Sequence, residues 1–309
     1  MVLLLAPIVV FCYWFAIHPL GGVENSFYAA AADKENLLHH TPSPKIVFMG
    51  GSNIAFGMDC ERVERELNRP TINMGVHAGL GLDFMLQEAA SGIGAGDTFI
   101  LVPEYDQAFG KLLYSDADAW EALQYNPNGW RYMSDPDQWG QLLGSIPELL
   151  REQLQRLISR RPRVTRAVGV YTREGFDRRG DMVAHLTYPQ PPALQKPLPI
   201  TITDFNRDFL KLLRRFDAQT RSREARFLFL PPCIAQSFWQ KSSTPIEYVA
   251  GQVTALGSPK MIAEPRERVL DDSYFFDTVY HQNARGRREA MDRLMPKLRD
   301  AVLSERRQE

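Results

Sequence analysis

The chain has 309 residues, with 36 Lys and Arg against 37 Asp and Glu; 44% of it is apolar and 11% aromatic. That composition excludes wholesale disorder and collagen-like or low-complexity structure, and the length allows one large domain or two small ones. A net charge of −1 argues against a dedicated nucleic-acid binder, which needs a basic excess. The three cysteines, Cys12, Cys60 and Cys233, are too few and scattered for a disulfide framework or a zinc site, although a single Cys60–Cys233 bridge stays open.

Residues 2–20, VLLLAPIVVFCYWFAIHPL, carry no charge apart from one that His18 can acquire. As a helix they rise about 28 Å, close to the hydrocarbon thickness of a bilayer. Tyr13, Trp14 and Phe15 lie towards the C-terminal end, where an interfacial aromatic belt would fall. Residues 1–20 are therefore expected to be a membrane anchor. A signal peptide processed near Ala29–Ala32 and a buried core helix are the alternatives. Residues 21–44 read as a polar tether closed by Pro42 and Pro44, and 304–309 as a tail.

Between these ends, at 45–303, short β-branched runs alternate with helical spacing. Strands are expected at 45–50, 70–75, 97–105 and 226–232, and from Lys260; helices at 60–67, 81–93, 203–219, 246–256 and 284–303. Strands separated by helices indicate an α/β domain with a parallel sheet and right-handed crossovers. Residues 106–200 interrupt the rhythm with a Trp-, Tyr-, Asp- and Pro-rich stretch, helical near 144–160. An insertion there reads as a lid over the rim where α/β ligands bind. Residues 97–137 hold eight acidic and two basic residues, whereas 151–180 hold nine arginines and three acids. The arginine-rich stretch is either a solvated face or a rest for anionic headgroups or glycan.

Three elements can carry chemistry. KIVFMG runs straight into Gly50-Gly51-Ser52-Asn53, which can hold a serine on a tight turn at the sheet's C-terminal edge. It is neither the G-x-S-x-G elbow nor a P-loop. Asp277-Thr-Val-Tyr-His281 precedes the last helix, and a loop there can return to the same edge. His281 would activate Ser52, with Asp277 on its other ring nitrogen. Asn73-Met-Gly75-Val-His77-Ala-Gly79 follows the second strand, and its amides together with that of Ser52 are candidate oxyanion donors. Gly92–Asp97 lies between a helix and a strand, the wrong order for a dinucleotide fingerprint. In the insertion, Tyr171, Arg173 and Asp181 mix aromatic, guanidinium and carboxylate groups suited to a sugar, unless they form only a charged turn.

Together these motifs resemble the SGNH/GDSL hydrolase superfamily over 45–105 and 203–303. They are most similar to its membrane-anchored bacterial members in cell-envelope acyl transfer, the teichoic-acid D-alanylation and alginate O-acetylation proteins. The resemblance implies a three-layer, flavodoxin-like α/β/α fold outside the cytoplasmic membrane. It implies Ser52 as nucleophile, Gly79 or else Gly75 as oxyanion glycine, His281 as base and Asp277 as acid. It also implies O-acyl transfer to a cell-envelope glycan or exopolysaccharide, no metal or organic cofactor, and a lipid-linked acyl donor delivered by an integral-membrane acyltransferase partner. A carbohydrate or lipid esterase and a non-catalytic assembly subunit are the alternatives.

Two departures stand out. The family's acid and base are three apart; here Asp277 and His281 are four apart with Thr278 at the expected position, so Asp271 and Asp272 are substitute acids. The third-strand loop lacks the family's asparagine and reads Glu104-Tyr105-Asp106. Asn53, Glu104 and Tyr105 are counted as candidate substrate contacts, with a buried structural carboxylate the other reading of Glu104.

Overall fold

The computed structural model of the chain describes residues 25–110, 113–114, 117–133, 136–144, 146–159, 169–191, 193–195 and 199–303. The expected anchor at 1–20, the tail at 304–309 and residues 160–168 of the arginine-rich stretch lie outside the described residues. Among the described residues no helix is long and apolar enough to cross a membrane.

The elements run α1 (Ala30–His40), β1 (Ile46–Gly50), α2 (Ser52–Gly57), α3 (Cys60–Leu67), β2 (Thr71–Asn73), α4 (Leu82–Ser91) and β3 (Thr98–Val102). The insertion contributes α5 (Ala117–Tyr125), α6 (Pro136–Gly144) and α7 (Ile146–Ser159). Then follow α8 (Asp208–Arg221), β4 (Arg226–Phe229), β5 (Ile234–Ala235), α9 (Gln236–Ala255), β6 (Lys260–Met261), β7 (Val269–Leu270) and α10 (Ala284–Leu303). Five strands form one parallel sheet in the order β2-β1-β3-β4-β6, while β5 and β7 pair separately.

Both faces of the sheet are covered, so the central strands β1 and β3 are buried along their whole length and read as apolar runs instead of alternating. Val47, Met49, Phe99, Leu101, Phe227 and Phe229 face α4, α8 and α9. Ile46, Phe48, Ile100, Val102 and Leu228 face α3 and α10. On α8, Phe209, Leu212, Leu213 and Phe216 recur at helical spacing and are all buried, each worth roughly 1.5–3 kcal/mol. Cys60 and Cys233 are free and belong to the clusters on opposite faces of the sheet, so the bridge left open by the sequence does not form.

Two expectations need correction. Residues 25–44 are not a tether: Phe27, Tyr28 and Lys34 are fully buried, and Lys34 Nζ donates to the carbonyls of Asn73 (2.9 Å) and Gly180 (2.6 Å). Burial lowers the Lys34 pKa to about 8. The insertion, read as a lid, shares a core with this segment. Trp120, Leu123, Tyr132, Leu142, Val170 and Met182 pack with Phe27, Tyr28, Phe56 and Phe84. In addition, α9 begins ten residues before the expected start, with Pro245 inside it. Proline removes its own backbone donor and crowds the carbonyl four residues earlier, and burial of Phe238, Ile246, Val249 and Val253 carries the helix through.

A doubly wound order reverses between β1 and β3 and opens a crevice beyond their C-terminal ends. Gly50 lies opposite Val102 in the register, so Ser52 and Glu104, each two residues further on, become neighbours.

Candidate active site

Ser52 is the first residue of α2, entered through Gly51. A Cβ on Gly51 would lie 2.6 Å from Glu104 Oε1 and 3.0 Å from the Ala78 amide nitrogen, so a side chain here would displace Glu104 and crowd the Ala78 backbone. The opposite wall is the loop between β7 and α10. It is tied down by Ala235 N–H on the Val279 carbonyl (3.0 Å), by Phe276 N–H on the His281 carbonyl (2.7 Å) and by a bridge between Phe275 and Gln282. The Thr278 hydroxyl accepts the amides of Tyr280 and His281, both at 3.2 Å. Thr278 is thus consumed by the turn, and the acid reaches His281 from Asp277.

These elements bring Ser52, His281 and Asp277 together. His281 Nδ1 lies 2.8 Å from Asp277 Oδ1, and Nε2 lies 2.8 Å from Ser52 Oγ. A carboxylate against Nδ1 demands a proton there, which leaves Nε2 to accept the serine proton. Phe56 stacks on the imidazole at 4.0 Å and 8°, fixing the ring plane. Burial works to raise the Asp277 pKa, but the His281 ring and the Tyr171 hydroxyl outweigh it, and the carboxyl stays below its ordinary range. Asp271 and Asp272, the substitute acids, are engaged elsewhere: Asp271 caps Ser273 and Asp272 accepts from the Ser237 amide.

The oxyanion side departs from expectation. The Gly75 amide donates to Asn73 Oδ1 (2.9 Å), and a Cβ there would meet Ile54 at 2.3 Å, so this glycine serves close packing. The Gly79 amide is directed at His77 Nδ1, 3.1 Å away. Neither glycine presents its N–H to the nucleophile. Glu104 stands there instead: its Oε1 lies 3.1 Å from Ser52 Oγ, where it competes with His281 Nε2 for the single hydroxyl proton, and it accepts from the Asn53 amide (3.0 Å). Burial and the neighbouring Glu104 raise the Asp106 pKa to about 6.

Among the candidate substrate contacts, Asn53 turns its Nδ2 back to the Val102 carbonyl (2.8 Å) and Tyr105 is buried in the core. Arg173 pairs with Asp33 through Nε (2.7 Å) and Nη2 (2.6 Å). Asp181 is fully buried, accepting from the Cys60 amide, Asn73 and Arg287, so it cannot meet a sugar. Burial lifts its pKa to about 6. Tyr171 does reach the site, but its hydroxyl donates to Asp277 Oδ2 and lies 3.2 Å from His281 Nδ1. Sequence reasoning missed Phe56 and His185. Phe56 had only its place one turn after Ser52 to mark it. His185 packs on Phe56 at 4.6 Å, and its pKa is pushed down to about 3 by burial.

The fold and site thus define an α/β protein with a buried Ser–His–Asp arrangement at the sheet's switch point. No protein-family model matches the chain, and no characterised protein matches it.

Proposed function

We propose that this chain performs serine-dependent acyl-ester chemistry on a cell-envelope glycan or exopolysaccharide, as O-acyl transfer through an acyl-serine on an SGNH-type fold. The observation that carries the reading is the pair of 2.8 Å contacts that join Ser52 to His281 and His281 to Asp277, assembled from residues 229 apart. His281 Nε2 takes the Ser52 proton as Oγ bonds to the ester carbonyl carbon. Collapse of the tetrahedral intermediate expels the alcohol, which leaves with that proton. A sugar hydroxyl, deprotonated by His281, then attacks the acyl-serine and restores Ser52; water in its place would make the protein an esterase. The Ser52 amide is the oxyanion donor in hand, and the Asn53 amide joins it when Glu104 moves aside. The apolar segment at 2–20 favours attachment to a membrane; the resemblance to envelope acyl-transfer proteins favours the outer side of a bacterial cytoplasmic membrane and an integral-membrane acyltransferase that supplies the acyl donor.

Glu104 also favours a second reading, a non-catalytic assembly subunit, because its carboxylate holds the position where an oxyanion would form. Fluorophosphonate labelling separates the two. A catalytic Ser52 is labelled in the full chain, and Ser52→Ala or His281→Ala abolishes the label. An unreactive wild-type protein would leave the assembly subunit.

A further inference from the structure

The second oxygen of Asp277 is held by a residue from outside the α/β core. The Tyr171 hydroxyl donates to Asp277 Oδ2 and lies 3.2 Å from His281 Nδ1, so one phenol touches both partners of the hydrogen-bonded dyad. Tyr171 belongs to the insertion, and what fixes it is the segment leading out of the N-terminal apolar stretch. Its ring packs edge-on against Phe27 at 5.5 Å and tilted against Phe56 at 5.4 Å. The next residue, Thr172, forms an antiparallel bridge with Ser26. Arg173 N–H donates to the Asn25 carbonyl (3.2 Å), Glu174 N–H to Asn25 Oδ1 (2.9 Å), and the Arg173 guanidinium grips Asp33.

We propose that Tyr171 is a positioning residue for the Ser52–His281–Asp277 relay and that the docked segment at 25–33 holds it in place, so that the catalytic acid is oriented from the N-terminal side of the chain. Asp277 sits in a half-buried turn whose own backbone bonds secure Tyr280 and His281 through Thr278 but leave Oδ2 to the phenol. A carboxylate held at one oxygen alone can rotate; held at both, it presents Oδ1 to Nδ1 in one orientation. The ionisable groups packed around the imidazole are Asp277 on its own loop, Tyr171 and His185 from the insertion, and Glu104 across Ser52. Of these, only Tyr171 touches Asp277 Oδ2 among the described contacts.

The proposal rests on the acyl-serine reading for its kinetic arm and is independent of it in its spectroscopic arm. The test is Tyr171→Phe, which keeps the ring against Phe27 and Phe56 and deletes only the hydroxyl. In proton NMR of the full chain in detergent, wild type shows a hydrogen-bonded His281 Nδ1–H resonance, assigned by its loss in His281→Ala. In Tyr171→Phe that resonance moves and exchanges faster with water. In fluorophosphonate labelling the inactivation rate constant falls about tenfold at unchanged probe affinity, in line with one charge-assisted hydrogen bond. Tyr171→Phe adds no further loss on top of Asp277→Asn, because both act through one contact. Phe27→Leu, remote from the reacting atoms, lowers the rate in the same sense only when Tyr171 is present. An Nδ1–H resonance unchanged in Tyr171→Phe overturns the proposal whether or not Ser52 reacts. Full additivity with Asp277→Asn overturns it too. Unlabelled wild type with a displaced resonance in Tyr171→Phe sinks the acyl-serine reading and leaves the positioning role standing.

Discussion

Glu104→Gln is the sharpest perturbation of the proposed chemistry. Glu104 Oε1 lies 3.1 Å from Ser52 Oγ and 3.0 Å from the Asn53 amide nitrogen. An oxyanion growing on a carbonyl bonded to Oγ therefore forms within about 4 Å of the carboxylate, where like charges repel by about 4 kcal/mol at an effective dielectric constant near 20. Glutamine keeps the shape and the carbonyl acceptor for the Asn53 amide, removes the charge and offers an amide donor in place of the second oxygen. Some of the relief is lost because substrate entry already displaces Glu104 and water screens the cleft. The expected net gain is a 10- to 100-fold faster reaction, about 1.4–2.8 kcal/mol in the barrier. The assay is the second-order rate of fluorophosphonate labelling and the hydrolysis of a small activated ester, with the melting temperature as a control for folding. A folded Glu104→Gln protein that reacts no faster than wild type, or more slowly, refutes the reasoning and makes Glu104 a working group of the reaction.

Gly51→Ala drives a methyl to 2.6 Å from Glu104 Oε1 and 3.0 Å from the Ala78 amide; it is expected to cost about 1–3 kcal/mol by chemical denaturation and to suppress Ser52 labelling. Phe56→Leu removes the ring stacked on His281 at 4.0 Å; a stability loss of about 1–2 kcal/mol, short of a full truncation, should accompany a larger proportional loss of labelling. Glu88 is buried beside Glu35, and burial first, then that neighbour, raises its pKa to about 8. A raised carboxyl pKa means the folded state holds a proton that the unfolded chain releases, so its stabilising contribution is complete below about pH 4 and declines as pH rises towards 8. Melting curves of Glu88→Gln should therefore rise above wild type at pH 8 and converge with it in acid; equal melting temperatures at pH 8 would refute the assignment.

The alternation of short apolar runs with helical spacing locates the parallel strands, because strands covered on both faces, β1 and β3 above all, are near-continuous apolar runs. The Gly50-Gly51-Ser52 turn and the Asp277–His281 pair were legible for a related reason: tight turns and nucleophile–base chemistry restrict residue type strongly at few positions. Other features depended on contacts between distant segments. Residues 25–44 carry charges that mimic a solvated tether, yet Lys34 is buried because the Asn73 and Gly180 carbonyls, 39 and 146 residues away, accept its protons. Asp271 and Asp272 stand beside Asp277 as acids until the fold engages them with the Ser273 and Ser237 amides and places Asp277 on His281. Gly79, or else Gly75, reads as the oxyanion glycine on paper, and amide direction, set by His77 and Asn73, turns both away. Tyr171 read as a sugar platform and Glu104 as either a ligand or a structural acid. Spacing along the chain shows which chemical groups exist, whereas the lone pair that each proton faces is decided by the sheet register at Gly50 and Val102 and by the docking of the insertion on Phe27.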